Sequence, residues 1–350
     1  MQFILPIVFA FVVSVLMTFL AVKLFPRLGL LDRPWKYGLK RERIPYYGGI
    51  VLYLTFLISI LVFLPFDKHV AGVLVGGTLM FIISFLDDLL DVNPFIRLAV
   101  QIVSACILVF SGIGILSLTN PFGAPLVLDG LKLDFTLFGM DLSFAVFSAI
   151  FTIIWIVLVV NTMNFLDGVP GMVSGITFIS GAALFLLSIK PGHLVNQNAV
   201  IVMSGVLAVS ALGFMIFDFF PPKILMGDSG SMFLGFILAT LAIFSGGKVA
   251  TAVLVMGFPI FDAVWVIMRR LIKGKSPFKG DYEHFHHRLI KAGLSERQAL
   301  LVIYLISIMF GGIAIVLGSG QKLVALIVLV VLMVLISFFM AIKSKPYGQR

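Results

Sequence analysis

The chain has one cysteine, few charged residues and no long polar linker. Because Cys106 is the only cysteine, an intrachain disulfide is excluded. Charged residues make up 12% of the 350 residues, hydrophobic residues make up 61%, and the mean hydropathy is +1.16. Soluble domains have an apolar fraction of only about one half. The composition therefore excludes an ordinary soluble protein and predicts a polytopic membrane protein.

The alternating polarity of membrane β-strands is also absent. The apolar runs are instead about 20 residues long, which is the length that a helix needs to cross a bilayer core about 30 Å thick. There is no internal repeat and no low-complexity segment, so a single membrane domain over residues 1–350 is predicted. No Lys or Arg precedes Lys23, and the first apolar run is too long for a signal-peptide core. We expect that run to be an uncleaved first span.

The fold that these runs predict is all-α, with eleven transmembrane helices, the N-terminus outside and the C-terminus cytoplasmic. This orientation places 20 of the 25 Lys and Arg residues on the cytoplasmic side, in agreement with the positive-inside rule. It also explains the net charge of +9 without a nucleic-acid partner. The spans are expected near residues 3–24, 47–64, 70–86, 95–113, 143–160, 172–189, 198–216, 230–246, 248–268, 299–317 and 323–342.

The acidic residues are concentrated on the same side of the predicted membrane, where 12 of the 16 lie. Acidic residues have little influence on topology, so a cytoplasmic polar site is the predicted cause. Its first segment is Asp87-Asp88-x-x-Asp91, at the end of the third span. Carboxylates this close repel one another unless a divalent cation, a cationic side chain or a shared proton offsets their charge. A solvated helix end is the alternative interpretation.

The second segment follows the fifth span. Asn161, Asn164 and Asp167 are spaced three apart, so they share one face if the helix continues. Gly168, Pro170 and Gly171 then end the helix, which would expose backbone N–H groups to an anionic ligand. The alternative is a capped helix followed by a turn.

The third segment, residues 226–231, consists of small residues around Asp228 that open a helix. Such a turn is typical of a phosphate or metal site, although Asp and Ser are also ordinary N-caps. Asp262 follows Pro259 inside the ninth span, where a buried acid implies a partner or a functional cavity. Its partner is not evident from the sequence.

The fourth segment is the loop from residue 281 to residue 289, which holds three of the five histidines. His284, His286 and His287 precede Arg288. Such a cluster can bind a metal, act as acid and base, or donate hydrogen bonds to phosphates. A solvated basic loop near anionic lipid is the alternative.

A loop on the opposite side, residues 114–142, has two β-prone runs around Asp129-Gly130. An Asp-Gly pair suits the type I′ turn of a hairpin. The sequence therefore predicts either a hairpin over residues 126–133 or an irregular loop.

In this order, the four segments resemble the motifs of the polyprenyl-phosphate N-acetylhexosamine-1-phosphate transferase family. Those motifs are Asp-Asp-x-x-Asp, Asn-x-x-Asn-x-x-Asp-Gly, Gly-Asp-x-Gly-Ser and a final histidine loop, and here they extend from residue 87 to residue 289. An Asp-x-Pro at Asp32 and a Gly-Gly pair at Gly48 extend the likeness toward the N-terminus. The final motif, His-x-His-His-Arg-Leu, is similar to the branch that uses UDP-N-acetylglucosamine (UDP-GlcNAc).

The resemblance implies transfer of GlcNAc-1-phosphate from UDP-GlcNAc to undecaprenyl phosphate, giving undecaprenyl-pyrophosphoryl-GlcNAc and UMP. It implies a bacterial plasma-membrane enzyme with a cytoplasmic active site, at the first membrane step of a cell-envelope polysaccharide or teichoic acid pathway. Mg²⁺ is the expected cofactor, with Mn²⁺ as a substitute. A homodimer is compatible with the sequence.

The same resemblance assigns roles to individual residues. Asn164 and Asp228 are the expected metal ligands. Asp87 is expected to position or deprotonate the lipid phosphate, with Asp88 and Asp167 as supporting catalytic residues. A phosphate with a second pKa of about 6 is already largely ionised at neutral pH, so strong base catalysis is not required. The residues expected to bind substrate are Asn161, Gly168, His284, His286, His287 and Arg288.

Two positions depart from the family pattern. Pro170 stands where a second Asp is common, and Leu225 stands where an aromatic residue is common. Both belong to the region associated with the uridine end of the donor. A phospho-MurNAc-pentapeptide transferase is the alternative within the enzyme class. A lipid-linked sugar transporter or flippase is the alternative from another class.

Overall fold

The computed structural model describes residues 3–37, 41–118, 120, 123–137, 140–190, 197–244, 249–272, 274 and 284–343. Within these ranges the chain forms α-helices, one short 3₁₀ helix (Pro34–Tyr37) and two small sheets. The helices are α1 (Ile4–Leu24), α2 (Gly49–Phe63), α3 (Lys68–Leu90), α4 (Pro94–Phe110), α5 (Val146–Leu166), α6 (Met172–Ser188), α7 (Gln197–Asp218), α8 (Gly227–Phe244), α9 (Val249–Val255), α10 (Gly257–Ile272), α11 (Phe285–Lys291), α12 (Glu296–Val316) and α13 (Ser319–Lys343). The strands are β1 (Ser117–Leu118), β2 (Leu126–Val127), β3 (Lys132–Leu137) and β4 (Met140–Ala145).

Every predicted span coincides with a helix, except that the ninth is divided between α9 and α10. Among the described residues, six helices are long and apolar enough to cross a membrane: α1, α3, α5, α7, α8 and α12. The helices α2, α4 and α6 and part of α13 are apolar but shorter. The chain is therefore a multi-pass helical membrane protein. The number of eleven crossings and the side on which each terminus lies remain predictions.

The ninth span is broken because of Pro259. A proline ring clashes with the carbonyl group four residues earlier, which here belongs to Val255, the last residue of α9. The helix α10 tolerates the proline in its first turn, where backbone N–H groups have no intrahelical acceptor. As a result, Asp262 lies in the second turn of a new helix and not in the middle of a long one.

The helix α8 is at the centre of the bundle. Residues 229–243 are all buried, and the helix packs against α2, α3, α5, α6, α7 and α9. A helix that is apolar on all sides is typical of such a central position. By contrast, α1 and α4 are peripheral and expose apolar side chains such as Leu16 and Val103, as expected for helices that face lipid. The start of α8 is thereby held by several neighbouring helices at once.

The helices α2 and α8 touch backbone to backbone where both begin. A Cβ atom added to Gly49 would lie 2.3 Å from the backbone nitrogen of Gly230 and 2.6 Å from the carbonyl carbon of Ser229. The N–H of Gly49 also donates to the carbonyl oxygen of Met226 at 2.9 Å. The Ser229 hydroxyl oxygen is also 2.5 Å from the added Cβ, so the main chain of α8 and the first atoms of one short side chain leave no room for a larger residue at position 49.

Gly49→Ala is therefore expected to destabilise the protein by about 2 kcal/mol, because main-chain atoms cannot move aside as a flexible side chain can. The measurement is the midpoint of thermal unfolding in detergent. Gly312→Ala is a matched control, since no atom lies within 4 Å of an added Cβ at that position of α12. An unchanged midpoint for Gly49→Ala would contradict the close approach of α2 and α8.

The predicted hairpin turn at Asp129-Gly130 is wrong. The strand β2 pairs with β1, and β3 pairs with β4, so these two residues connect different sheets. A type I′ turn requires positive φ at both central residues, and neither has it. The strand β3 pairs with β4 along its full six residues, whereas β2 offers only two. The longer ladder forms more cross-strand hydrogen bonds and prevails.

Candidate active site

The polar segments predicted from the sequence lie together at one end of the bundle. The helices α3, α5 and α7 end there, and α4, α6 and α8 begin there. The histidine loop joins them through ring contacts, with the centroid of His284 5.7 Å from that of Phe165 in α5. Helix ends bring these groups close although they are far apart in sequence.

Asp88 caps the start of α8. Its Oδ1 accepts hydrogen bonds from the backbone N–H of Asp228 and the hydroxyl of Tyr46, both at 2.9 Å. Its Oδ2 accepts from the N–H of Ser229 at 3.0 Å. The first N–H groups of a helix lack intrahelical acceptors, and the positive end of the helix dipole favours an anion. The sequence suggested a phosphate or metal at this turn, but an aspartate of α3 bonds these N–H groups.

Arg97 joins two of the acidic motifs. Its Nη1 donates to Oδ2 of Asp87 and lies 3.3 Å from Oδ2 of Asp228. The other carboxylate oxygen of Asp87 accepts from the N–H of Val92 at 2.8 Å. Of the three ways to offset the repulsion between carboxylates, the structure shows a cationic side chain.

Arg97 was not identified as a site residue by the sequence analysis, because the positive-inside rule already explains a basic residue in an inner loop. A local signal was nevertheless present. Asn93 caps α4 by accepting from the N–H of Phe95 at 2.9 Å, and Pro94 is the first helical residue. Residue 97 therefore lies in the first turn of a helix that starts just after the acidic end of α3.

Asn164 lies beside the start of α8. The helix α5 continues to Leu166, six residues beyond the predicted end of its span, so the polar motif is helical. The Nδ2 of Asn164 is 3.5 Å from the hydroxyl of Ser231, which in turn donates to the carbonyl oxygen of Asp228 at 3.4 Å. Ser231 thereby links Asn164 of α5 to the backbone of Asp228 in α8.

Asn161, one turn earlier on α5, forms bonds within the helix bundle. Its Nδ2 donates to Oε1 of Gln101 in α4 and to the carbonyl oxygen of Val157, both at 2.8 Å. The amide hydrogens of Asn161 thus connect α5 with α4. Its predicted role in substrate binding remains a prediction.

The turn between α5 and α6 is held by Asp218, at the end of α7. Its Oδ2 accepts from the N–H of Gly171 at 3.0 Å and from the hydroxyl of Ser174 at 2.8 Å. Gly171 has φ +82°, a conformation that favours glycine, and its carbonyl oxygen accepts from the hydroxyl of Tyr304. The sequence predicted exposed N–H groups for an anionic ligand. At Gly171 the anion is instead a carboxylate of the chain itself.

Asp167 follows the last residue of α5 and is more buried than exposed, although some of its surface still reaches solvent. Withdrawal from water raises the pKa of its carboxyl well above the usual range, and repulsion by neighbouring aspartates, above all Asp228, raises it further. Gly168 is exposed, and a Cβ added there would lie 3.5 Å from Nε2 of His286, an ordinary contact. Gly168 therefore brings the acidic turn against the histidine loop.

His284 provides the partner of Asp262 that the sequence did not reveal. Its Nδ1 is 2.8 Å from Oδ2 of Asp262, and the N–H of Phe285 donates to Oδ1 at 2.9 Å. Both members of the pair are buried. Residues 281–283 of the predicted loop lie outside the described residues.

The next histidines differ in their surroundings. His286 is buried, and neither ring nitrogen has a hydrogen-bond partner among the described residues. Burial, together with the nearby His287 and His284, lowers the pKa of His286 to about 3, so the ring is neutral at physiological pH. The His287 ring lies 4.1 Å from that of His286, and both His287 and Arg288 are partly exposed on α11.

The site carries oxygen donors that suit Mg²⁺. Asp87 and Asp228 converge on one cationic group, and Asn164 contacts Ser231, one turn further along α8 from Asp228. In the part of the chain that the structure describes, no three His, Cys, Asp or Glu side chains are placed to hold a metal together. Mg²⁺ commonly uses one or two carboxylates with substrate phosphates and water, so three are not required. The donor set fits Mg²⁺ that binds together with a phosphate substrate.

Comparison with known proteins gives one family match and several relatives. The model of the family described as glycosyl transferase family 4 matches residues 70–246. A probable undecaprenyl-phosphate N-acetylglucosaminyl 1-phosphate transferase of Bacillus subtilis is 27% identical, over 98% of this chain and 92% of the relative. A decaprenyl-phosphate N-acetylglucosaminephosphotransferase of Mycobacterium tuberculosis is 31% identical, over 80% and 73%. An undecaprenyl-phosphate alpha-N-acetylglucosaminyl 1-phosphate transferase of Thermotoga maritima is 28% identical, over 91% of each.

Proposed function

Since this chain belongs to glycosyl transferase family 4, we propose that it transfers GlcNAc-1-phosphate from UDP-GlcNAc to undecaprenyl phosphate, with release of UMP. The names of the relatives support this, because each combines a polyprenyl phosphate with transfer of N-acetylglucosamine phosphate. Among them both undecaprenyl and decaprenyl acceptors occur. We propose undecaprenyl phosphate because the two relatives named for it match this chain over 92% and 91% of their own length, compared with 73% for the decaprenyl relative.

The observation that carries the proposal is the meeting of Asp87, Arg97 and Asp228 at the ends of membrane-spanning helices. A lipid phosphate remains at the depth of the membrane surface, so a site that uses it must lie at helix ends. A transporter would instead require ionisable groups along a path through the middle of the bundle. The location of the cluster therefore favours an enzyme acting on a lipid headgroup.

The proposed reaction is a phosphoryl transfer. An oxygen of the lipid phosphate forms a bond with the β-phosphorus of UDP-GlcNAc, and the bond from that phosphorus to the bridging oxygen breaks, so that UMP leaves with the electron pair. Catalysis of this type rests on positioning and on neutralisation of charge. Mg²⁺, for which Mn²⁺ can substitute, would be held by Asp228 and Asn164 and would neutralise the diphosphate.

The chain's own residues take different parts in this reaction. Asp87, balanced by Arg97, would position the lipid phosphate. Asp88 would act through α8, whose first turn it holds. Asp167, which follows the last residue of α5 and precedes Gly168, would be a supporting catalytic residue near the diphosphate. The donor substrate would be bound by Asn161, Gly168, His284, His286, His287 and Arg288.

We place the reaction at the cytoplasmic face of a bacterial plasma membrane. The distribution of Lys and Arg supports this orientation, and sugar nucleotides are the kind of charged donor that a polar site open to the cytoplasm can bind. The lipid-linked product would then enter the first membrane stage of a cell-envelope polysaccharide or teichoic acid pathway.

The test is an assay of the purified chain in detergent with Mg²⁺, undecaprenyl phosphate and radiolabelled UDP-GlcNAc. We expect release of UMP and transfer of the label to a lipid that can be extracted into organic solvent. Omission of the lipid phosphate should stop both. UDP-MurNAc-pentapeptide is the parallel donor, and turnover of that donor alone by folded protein would contradict the proposal.

A further inference from the structure

Asp262 belongs to none of the four motifs, and the proposed reaction gives it no part. Its side chain is 7% exposed in α10, where a charged group is costly unless it is bonded. Both of its carboxylate oxygens bond with the histidine loop, one with the ring of His284 and the other with the N–H of Phe285. The helix α10 is therefore connected to the loop at two successive residues.

We propose that Asp262 is a positioning residue for His284, which fixes both the tautomer and the orientation of its imidazole; this inference rests on the proposed function. In this arrangement the carboxylate of Asp262 is the acceptor, and the Nδ1 atom of His284 carries the proton. The Nε2 atom is then the atom available to the donor substrate. A carboxylate that fixes an imidazole in this way is a recurring device in catalytic and metal sites.

The backbone bond to Phe285 makes the orientation rigid. Because Oδ1 of Asp262 holds this N–H, the ring of His284 cannot swing away without breaking a second bond. The ring of Phe285 also packs edge-on against Phe258 of α10, with centroids 4.6 Å apart. A polar and an apolar contact thus hold the loop to the same helix.

The position of His284 makes the fixed tautomer relevant to the site. Its ring lies 5.7 Å from that of Phe165, which directly follows Asn164, and is parallel to the ring of His286 at 5.9 Å. With Nδ1 turned toward α10, the ring holds Nε2 on its side away from Asp262. The pair therefore connects a buried acid of α10 with the α5 motif.

Asp262→Asn separates positioning from packing. The amide oxygen of Asn can still accept from the N–H of Phe285, but its NH₂ group then faces Nδ1 of His284 and requires that nitrogen to be an acceptor. The substitution thereby favours the opposite tautomer in a side chain of almost the same size. Asp67→Asn is a matched control, since Asp67 caps α3 at the opposite end of the bundle and Asn preserves such caps.

The first measurement is the tautomer of His284 by nitrogen NMR of full-length protein labelled at its five histidines, with His284→Ala for assignment. We expect a proton on Nδ1 in the wild type and its loss in Asp262→Asn. The same tautomer in both proteins would overturn the proposal. This measurement requires no transfer activity, so it stays valid even if the wild type makes no lipid-linked sugar, a result that would contradict only the proposed function.

The second measurement is kinetic. Asp262→Asn is expected to lower kcat/KM by about 100-fold, as is common when the partner of a functional histidine is lost. In the His284→Ala background it should cause no further loss, because its effect passes through that ring. Additive losses together with a lower unfolding midpoint would show that Asp262 only stabilises the fold, and would overturn the positioning role.

Discussion

Replacing Asp228 by alanine is expected to abolish transfer of the sugar phosphate, with kcat lowered on the order of 1000-fold, the loss typical when a group that stabilises the transition-state charge is removed. Asp228 is one of the two carboxylates that converge on Arg97, and with Asn164 it is one of the two proposed metal ligands. Without it, Asp87 remains the single carboxylate paired with Arg97. Mg²⁺, which would neutralise the diphosphate, would then lose its carboxylate ligand.

The fold should survive this change. The Asp228 side chain is 32% exposed, and the bond between its backbone N–H and Asp88 does not depend on the side chain. We expect little change in the midpoint of thermal unfolding. Asp134→Ala, which removes an exposed aspartate of β3, is the control for loss of one negative charge. The measurement is the rate of UMP release with Mg²⁺ and both substrates saturating, and a near-normal rate would remove Asp228 from the metal site.

Asp88→Ala is expected to behave differently, with loss of stability as well as activity. Two backbone N–H groups at the start of α8 and the Tyr46 hydroxyl would lose their acceptor. These donors are partly buried, and loss of their acceptor is costly, so we expect a loss of about 2 kcal/mol. Activity should fall as well, because Asp228 lies in the first turn of α8, which Asp88 no longer holds in place.

Tyr46→Phe is the graded comparison for Asp88→Ala. It removes one donor but leaves both N–H groups bonded to Asp88, so a loss of about 1 kcal/mol is expected, with most activity retained. Unfolding midpoints in detergent and rates of UMP release are to be measured for both variants. If Asp88→Ala is inactive but as stable as the wild type, then Asp88 acts on the substrate and not as an anchor of α8.

The positions of the helices could be predicted from the sequence, but the residues at which they end, within the polar motifs, could not. The apolar run that marks the fifth span stops near residue 160, whereas α5 continues to Leu166. The missing turn carries Asn161 and Asn164, which interrupt the apolar pattern without interrupting the helix. Hydropathy therefore ends each span where the functional residues begin. The break at Pro259 had a visible cause, but a single span across it was predicted.

The gathering of acids at one end of the bundle could be predicted because topology alone places alternate helix ends together. The hydrogen-bond partner of each individual acid could not be predicted. Asp87 and Asp88 are neighbours in sequence, yet successive helical residues point about 100° apart, so one faces Arg97 and the other faces α8. The pairing of Asp262 with His284 depends on the path of the intervening chain, which has no local signature.

The direct contact between the backbones of Gly49 and Gly230 bears on how far related chains can diverge. While residues 49 and 230 remain glycine, the main chains approach each other directly, so the spacing at this contact depends little on which apolar side chains surround it. Substitutions on the lipid-facing sides of α1 and α4 can accumulate while Asp88 and Asp228 keep their separation. Substitutions confined to such lipid-facing positions would lower the identity between two chains without moving the acids of the site.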